Sequence, residues 1–287
     1  MTMAGTRRIT RTGRRIPPVD GRRLGRWTLL AAAALAFLFI QLPLFFVTWL
    51  SFYGQEIPSY PPSGYSLEWY RAILSNERFI DGLLLSLQLG VIATALGLIL
   101  AVPAALALSH FRFPGRATIS NLLLMPLMVP GVVLGTAIYV FHVETEINTG
   151  LPIIGSLGGL VWGHVLVTLP WITRLVTASL AQFDRTLEEA AQSLGATPWT
   201  TFRRVTLPAI LPGVVAGAMF AFVASFGNLE MTLFLVGPGR TTLPIAILQY
   251  LQWKIDPTIA AISVVQIALV FVAMIVTDRF VRLSRVV

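Results

Sequence analysis

Six stretches of this sequence are long and apolar enough to cross a lipid bilayer, and they limit the possible folds more than any other feature. A membrane-spanning helix needs about 20 mostly apolar residues. Because lipid offers the backbone no hydrogen-bond partners, each stretch is expected to be helical. The sequence therefore predicts an all-α polytopic membrane protein with six transmembrane helices. The stretches lie near residues 27–50, 83–108, 119–141, 157–181, 211–236 and 259–281.

The composition agrees with a bilayer environment and excludes several kinds of site. Only 12% of the 287 residues are charged and 55% are hydrophobic, whereas soluble domains carry about 25% charged residues. The sequence has no cysteine, which excludes a disulfide framework, a thiolate metal site and a cysteine nucleophile. The three histidines, His110, His142 and His164, belong to different segments. We therefore predict no metal site in this chain.

Lysine and arginine are concentrated in alternate segments between the predicted spans. Seventeen of them fall on one side of the membrane and four on the other. Since basic segments stay in the cytoplasm, both termini are predicted to be cytoplasmic. Eight of the basic residues lie in the first 26 positions, directly before the first span. There we expect them to fix the topology and to contact anionic lipid, with nucleic-acid binding as the alternative.

These assignments divide the chain into five parts. The first span is longer than the apolar core of a typical secretory signal, so it is expected to be an uncleaved anchor. The predicted parts are a basic cytoplasmic tail (1–26), the first transmembrane helix (27–50), a periplasmic segment (51–82), a core of five transmembrane helices (83–281) and a cytoplasmic C-terminus (282–287).

One cytoplasmic segment, residues 182–207, is too polar to span the membrane but is patterned like a pair of helices. Asp184 is a plausible N-cap for a first helix, and Gly195 is typical of the residue that ends one. Thr197 and Pro198 predict the start of a second short helix, separate from the next span. The segment is therefore predicted to form a helix-turn-helix along the cytoplasmic face. The apolar residues that share one face of its first helix are Leu187, Ala190, Ala191 and Leu194.

The spacing within this segment resembles the signature loop of binding-protein-dependent ABC importer permeases. In that family the pattern is Glu-Ala-Ala, three residues, Gly, nine residues and Ile-x-Leu-Pro. Valine replaces isoleucine here, which removes one methylene. Over residues 83–281 the spans resemble those of spermidine/putrescine-type permeases. The residues that match the loop are Glu189, Ala190, Ala191, Gly195, Val205, Leu207 and Pro208, and the matching stretches in the spans include 125–135, 235–239 and 256–261.

The resemblance implies a type I ABC importer permease fold and a set of partner chains. These are a second permease subunit, which would make a heterodimer, two ATPase subunits, and a periplasmic or lipid-anchored substrate-binding protein. The only lysine, Lys254, is not part of a Gly-Lys-Ser/Thr phosphate-binding loop. We therefore expect no cofactor in this chain, with ATP and Mg²⁺ bound by the ATPase subunits. The chain is expected to be a transport subunit of a bacterial inner membrane and not an enzyme.

The resemblance also assigns segment 182–207 the role of a coupling helix that sits in a groove of the ATPase. In that role Ala190 and Ala191 would permit close approach, and Gly195 would permit a sharp turn. Glu189 would offer an anion to a basic group of the ATPase. Leu194 and Pro208 complete the set of residues predicted to couple this chain to the ATPase.

Polar residues within the fourth and fifth spans are candidates for the solute pathway, because such residues are costly in lipid unless they are used or paired. On an unbroken helix Glu230 would point away from Asn228, unless the helix loosens at Gly227. Hydrogen bonds between helices, packing, and a salt bridge to a partner subunit or a position among the headgroups are the alternative roles. The five candidates are His164, Ser225, Asn228, Glu230 and Thr232.

The same region bears on the solute and on two other functional classes. Polyamine permeases often have Ser-Phe-Asp-Asp where this chain has residues 225–228, Ser-Phe-Gly-Asn, so a polyamine is one option among small polar organic solutes. An ion-coupled transporter or channel would need acidic residues in its spans, and the only one apart from Asp278, near the end of the last stretch, is Glu230. An intramembrane hydrolase could pair Ser225 with His164, but no nucleophile motif surrounds that serine.

Overall fold

The computed structural model describes residues 21–281, which form helices joined by turns and loops and contain no β-strand. These residues belong to two compact units that divide after Val47. Residues 1–20 of the predicted basic tail and the C-terminal segment 282–287 lie outside the described residues. The helices are α1 (Gly21–Leu50), α2 (Glu68–Leu74), α3 (Glu77–His110), α4 (Arg116–Leu124), α5 (Gly131–Thr149), α6 (Leu157–Gln182), α7 (Thr186–Ser193), α8 (Pro198–Thr201), α9 (Leu207–Phe226), α10 (Thr232–Leu235), α11 (Leu243–Trp253) and α12 (Thr258–Val281).

Five of the described helices are long and apolar enough to span a membrane, and a bent pair makes six if it is counted as one span. The five are α1, α3, α6, the continuous helix formed by α8 and α9, and α12. The bent pair consists of α4 and α5. The all-α, polytopic prediction is therefore confirmed, and the sequence-based count of six corresponds to five continuous helices and one bent pair.

The third predicted stretch, 119–141, is not one straight helix. It changes direction by 106° between α4 and α5, across the 3₁₀ turn Met125–Leu127. Pro126 lies in that turn and Pro130 is the residue before α5. Proline has no N–H to donate and its ring clashes with the preceding turn of a helix. Two prolines four residues apart therefore break the third predicted stretch into two helices at this position.

The fifth predicted stretch, 211–236, is also interrupted, and its start differs from the prediction. Helix α9 ends at Phe226, and after a non-helical segment the short helix α10 begins at Thr232. At the other end the chain is helical without interruption from Pro198 to Phe226, through the π-helical turn Phe202–Thr206. The second helix of the predicted helix-turn-helix is therefore the beginning of a transmembrane helix and not a separate element.

Helices α3, α6 and α9 pack together as the centre of the larger unit. Small residues bring them close, as is usual in membrane helix packing. A Cβ on Gly217 of α9 would lie 3.0 Å from the Cα of Ile172 in α6. Ala101 and Ala105 of α3 belong to the same buried cluster. The core that positions the cytoplasmic segment is thus a tight bundle of three helices.

A polar cluster joins α11 to α12 on the side predicted to be periplasmic. Asp256 is buried, accepts hydrogen bonds from the Tyr250 hydroxyl (2.8 Å) and the Thr258 N–H (2.9 Å), and pairs with Lys254 at 3.0 Å. Lys254 also reaches Glu56 at 3.3 Å. Burial raises the pKa of Asp256, but the hydrogen bonds from Thr258, Tyr250 and Lys254 outweigh it and hold that pKa below its usual value. The cluster fixes the connection between the last two helices.

Candidate functional site: the cytoplasmic coupling segment and a buried polar network

The segment between α6 and α9 turns sharply at Gly195, as its sequence predicts. Gly195 has φ +87°, a backbone conformation that favours glycine, and it directly follows the helical turn at Leu194. Helix α7 starts at Thr186, where the Asp184 carboxylate accepts the backbone N–H of Thr186 at 3.0 Å. The Thr197 hydroxyl accepts the N–H of Thr200 at 3.2 Å at the start of α8. Side chains of the segment itself therefore define both ends of the turn.

The predicted apolar face of α7 points away from the protein. Leu194 is 90% exposed and Leu187 is 53% exposed, and Ala190 is also exposed. Trp199, on the neighbouring α8, is 68% exposed. A helix that packed on its own protein would turn these residues inward. Here the segment presents a compact apolar surface to its surroundings.

The other predicted coupling residues lie at this surface or beside it. Glu189 is exposed, and its carboxylate has no hydrogen-bond or ion-pair partner among residues 21–281. Ala191 is half-buried, whereas Pro208 is exposed in the first turn of α9. The structure therefore leaves Glu189, Ala190 and Leu194 exposed and covers Ala191 in part, with Pro208 at the point where the segment continues into the membrane helix.

The inward face of α7 carries polar contacts that the sequence analysis missed. The Glu188 side chain is only 14% exposed, and its Oε2 lies 2.9 Å from His110 Nε2 at the end of α3. Its Oε1 accepts the hydroxyl hydrogen of Thr206 in the π-helical turn. Arg185 donates to the backbone carbonyl and, at 3.0 Å, to the hydroxyl of Ser109. Helix α7 is therefore joined to α3 and to the start of α9 by side-chain hydrogen bonds.

A signal for these contacts is present in the sequence. Arg185, Glu188 and Gln192 recur at helical spacing on the face of α7 opposite Leu187 and Leu194. A polar stripe on a surface helix normally faces water, so the pattern alone favours a solvated face. Its contact with His110, 78 residues away, could not be read from local spacing.

Four of the five candidate pathway residues form one hydrogen-bonded network, in which His164, Ser225 and Thr232 are buried and Asn228 is partly buried. His164 is 1% exposed on α6, and its two ring nitrogens lie 2.7 Å from Ser225 Oγ and 3.2 Å from Thr232 Oγ1. Asn228 Oδ1 in turn accepts the hydroxyl (3.0 Å) and the N–H (3.2 Å) of Thr232. The network thus connects the end of α9, the start of α10 and the middle of α6, and it holds the interrupted helix in place.

Glu230 lies apart from this network. Its side chain is exposed and rests against Gly131, the first residue of α5. One turn further along α5, a Cβ on Gly135 would lie 2.8 Å from the carbonyl oxygen of Met231. The break between α9 and α10 therefore packs directly on the break before α5. A role for these five residues in the solute pathway stays a prediction.

Comparison with known proteins decides what kind of protein carries these features. Residues 93–286 match the family model described as "Binding-protein-dependent transport system inner membrane component". The chain belongs to this family. The matched region contains the coupling segment, the buried network and both helix breaks, so all the candidate residues described above lie within the part of the permease that defines the family.

Two curated relatives and one solved structure illustrate the range of similar proteins. The permease is 30% identical over 230 residues to the putrescine transport system permease protein PotI of Escherichia coli K12, covering 80% of this chain and 82% of PotI. It is 29% identical to the putative 2-aminoethylphosphonate transport system permease protein PhnV of Salmonella paratyphi A, covering 88% and 92%. A bacterial ABC transporter that imports alginate matches its fold with a TM-score of 0.68 at 15% identity, covering 91% of this chain and 98% of that one.

Family membership settles the functional class. The permease is a transmembrane subunit of an ABC importer and a multi-pass inner-membrane protein, and it works with other ABC subunits. It is not an enzyme, because the ATPase is a separate subunit. The Ser225–His164 contact that a hydrolase would need is present, but the second ring nitrogen of His164 faces Thr232 and not a carboxylate. An ion-coupled secondary transporter or channel is not favoured.

Proposed function

We propose that this permease forms half of the translocation pathway of an importer and couples solute passage to a separate ATPase through segment 182–207. Its partners are a second, different permease subunit, two ATPase subunits that hold ATP and Mg²⁺, and a periplasmic or lipid-anchored binding protein. Both termini face the cytoplasm, in agreement with the seventeen basic residues on that side. The chain itself holds no cofactor.

The observation that supports this proposal is the exposed apolar face of α7 and α8. Leu194 at 90% exposure and Trp199 at 68% lie beside a turn of fixed conformation. Exposing a leucine to water instead of burying it costs about 1.5–3 kcal/mol, so this face favours a partner that covers it. Glu189, which is also exposed on α7, is available to a basic group of that partner.

The solute that we propose is a small polar organic compound, a polyamine or a related amine. Putrescine and 2-aminoethylphosphonate, named for two relatives of this chain, both carry a primary amine. An ammonium group gains most from an anionic partner. Glu230, the acidic residue at the meeting point of the two helix breaks, is the candidate for that partner.

The test is ATP hydrolysis by the complete importer in proteoliposomes, with and without binding protein loaded with spermidine. We expect loaded binding protein to stimulate hydrolysis, and Glu189→Lys or Gly195→Asp to abolish the stimulation. Glu68→Lys, an exposed charge reversal on α2, is the control and is expected to have no effect.

Three results would change the proposal in different ways. Stimulation by binding protein loaded with another solute would retain the importer and replace the polyamine. Full stimulation in both Glu189→Lys and Gly195→Asp would contradict the coupling role of segment 182–207. Failure of any ATPase to co-purify with the permease would contradict the proposed assembly.

A further inference from the structure

We propose that Glu188 and His110 are positioning residues that latch the coupling helix α7 to the end of α3, so that one displacement of α7 moves α3 and α9 together. This inference rests on the proposed docking of α7 on an ATPase, but it concerns the opposite, inward face of the helix. Neither residue belongs to the predicted coupling set. The geometry of Glu188 carries the argument.

Glu188 uses both of its carboxylate oxygens, and it uses them on two different helices. Oε2 lies 2.9 Å from His110 Nε2, at the last residue of α3. Oε1 accepts the hydroxyl hydrogen of Thr206, in the π-helical turn that leads into α9. A carboxylate with both oxygens engaged and only 14% of its side chain exposed has little freedom to rotate. Glu188 is thus a junction between three elements.

The hydrogen-bonding pattern of His110 shows that a proton lies in its contact with Glu188. His110 Nδ1 is 3.1 Å from the carbonyl oxygen of Leu106, which can only accept, so Nδ1 carries a hydrogen. His110 Nε2 lies 2.9 Å from Glu188 Oε2, so the contact between these two side chains is a hydrogen bond as well.

Apolar packing does not replace these bonds, because a cavity of about 400 Å³ lies between α7, α8 and the end of α3. Leu106 and Phe202 line it together with His110 and Glu188. A close-packed joint would fix the position of α7 by van der Waals contact. Across this cavity, the side chains of Glu188 and Arg185 set the distance between α7 and the end of α3. A second bridge, from Arg185 to Ser109, also reaches the end of α3.

The consequence for transport is mechanical. Helix α9 is continuous with α8 through the π-helical turn, so it follows the coupling segment directly. Helix α3 has no such chain connection: it packs on α6 and α9 within the membrane, and its end is joined to α7 by the side-chain bridges. Since α3, α6 and α9 form the packed centre of the larger unit, a latch at the end of α3 passes the displacement of α7 directly to that centre. Without it, α7 would tilt relative to the end of α3, and hydrolysis would move less solute.

The latch can be tested by measuring a distance and a coupling ratio in the same variants. The chain has no cysteine, so Ser193→Cys on α7 and Leu100→Cys on α3, both exposed, accept a spin-label pair in a complex whose other subunits are cysteine-free. We expect a narrow distance distribution in the parent and one at least about twofold broader in Glu188→Ala, because a charged hydrogen bond is lost. Solute moved per ATP should fall about fivefold.

Two further variants separate a latch from a general loss of structure. Glu188→Gln can still accept from Thr206 and can donate to a neutral His110, so we expect the narrow distribution and most of the coupling ratio to return. The double variant His110→Ala/Glu188→Ala should show no broader distance distribution and no lower coupling ratio than Glu188→Ala alone, because both substitutions remove the same contact between His110 and Glu188. Glu68→Ala on α2 is the control.

The outcomes distinguish this inference from the proposed function. If Glu188→Ala leaves both the distance distribution and the coupling ratio unchanged while Glu189→Lys abolishes stimulation, the docking stands and the latch is wrong. If the effects of His110→Ala and Glu188→Ala add, the latch is also wrong. If no ATPase binds the permease, the docking fails, and the distance measurement in the solubilised full-length chain still decides whether Glu188 holds α7 to α3.

Discussion

The coupling segment and the buried polar network both interrupt a helical membrane protein with polar residues. They differ in whether their side chains contact one another within the chain or face outward. In the network, His164, Ser225, Thr232 and Asn228 satisfy one another within the chain. In the coupling segment Glu188 is paired with His110 and Thr206 on the inward side, whereas apolar residues such as Leu194 face outward. A polar group satisfied internally favours a role in stability, and an apolar group left outside favours a role in binding. The predictions that follow test this contrast.

The largest expected effect is on assembly. In Leu194→Asp the interface would lose a leucine and would have to bury a charge, which together cost about 4–5 kcal/mol. We expect the affinity for the ATPase to fall about a thousandfold, while the thermal stability of the permease stays unchanged because Leu194 is 90% exposed. Co-purification and a titration with purified ATPase measure the first quantity, and thermal unfolding in detergent measures the second.

The control for that variant is Leu67→Asp, which places the same charge at a residue 60% exposed next to α2. It should leave the affinity for the ATPase unchanged. Equal affinities for the parent and Leu194→Asp would show that the exposed face of α7 is not a docking surface, and the contrast between the two regions would then fail.

The next largest effect should be on stability and should come from the network. His164→Ala leaves a cavity and removes the partner of Ser225 and Thr232, so we expect a loss of about 3 kcal/mol in the free energy of unfolding. ATPase affinity should not change. The thermal unfolding midpoint measures the loss, with Trp162→Ala, at a half-exposed position on the same helix, as the control.

A different outcome for His164→Ala would sharpen the assignment of the network. If the unfolding midpoint stays constant while the solute concentration needed for half-maximal uptake rises, the network belongs to the solute pathway. If the midpoint falls and that concentration stays constant, the network is structural and Glu230 remains the candidate contact for the solute.

A smaller effect is expected where the two helix breaks meet. Gly135→Ala would place a methyl group 2.8 Å from the carbonyl oxygen of Met231, so α5 and α10 would have to move apart. Such overpacking costs about 1–3 kcal/mol, measured as a lower unfolding midpoint. Gly158→Ala, whose new methyl group would meet only Ser156 Oγ at 3.9 Å, is the matched control. Equal midpoints for both variants would show that the contact between the breaks is loose.

The smallest effect should come from the Asp256 cluster, which combines a buried carboxylate with a half-exposed lysine. Asp256→Asn removes the charge but keeps an acceptor, so we expect a loss of about 1 kcal/mol. Because the pKa of Asp256 is lowered in the folded protein, its contribution to stability is fully present above the ordinary carboxyl value of 3.8 and is lost as the pH falls below it.

The unfolding midpoint measured between pH 3 and pH 7 checks this dependence. The parent should lose more stability than Asp256→Asn as the pH drops below about 4. Parallel curves for the two proteins would mean that Asp256 titrates normally in the folded state.

Many features were readable from the sequence because their causes act over a few residues. The long apolar stretches, the glycine that ends α7 with φ +87° and the hydroxyl that caps α8 all follow from local geometry. The two prolines of the third stretch, Pro126 and Pro130, also disfavour a straight helix for a local reason. The angle of 106° between α4 and α5 depends on the packing of both helices and is seen only in the structure.

Contacts between residues far apart in the chain were decided only by the tertiary structure. His164 meets Ser225 across 61 residues, and Glu188 meets His110 across 78. Helical periodicity places Glu188 on the polar face of α7, but it does not say whether that face meets water or another helix. The sequence by itself determined that the long apolar stretches are helical and that the chain turns at Gly195, because backbone hydrogen bonding and steric limits are local. Which polar groups pair was decided by the packing of α3, α6 and α9, which brings distant segments together.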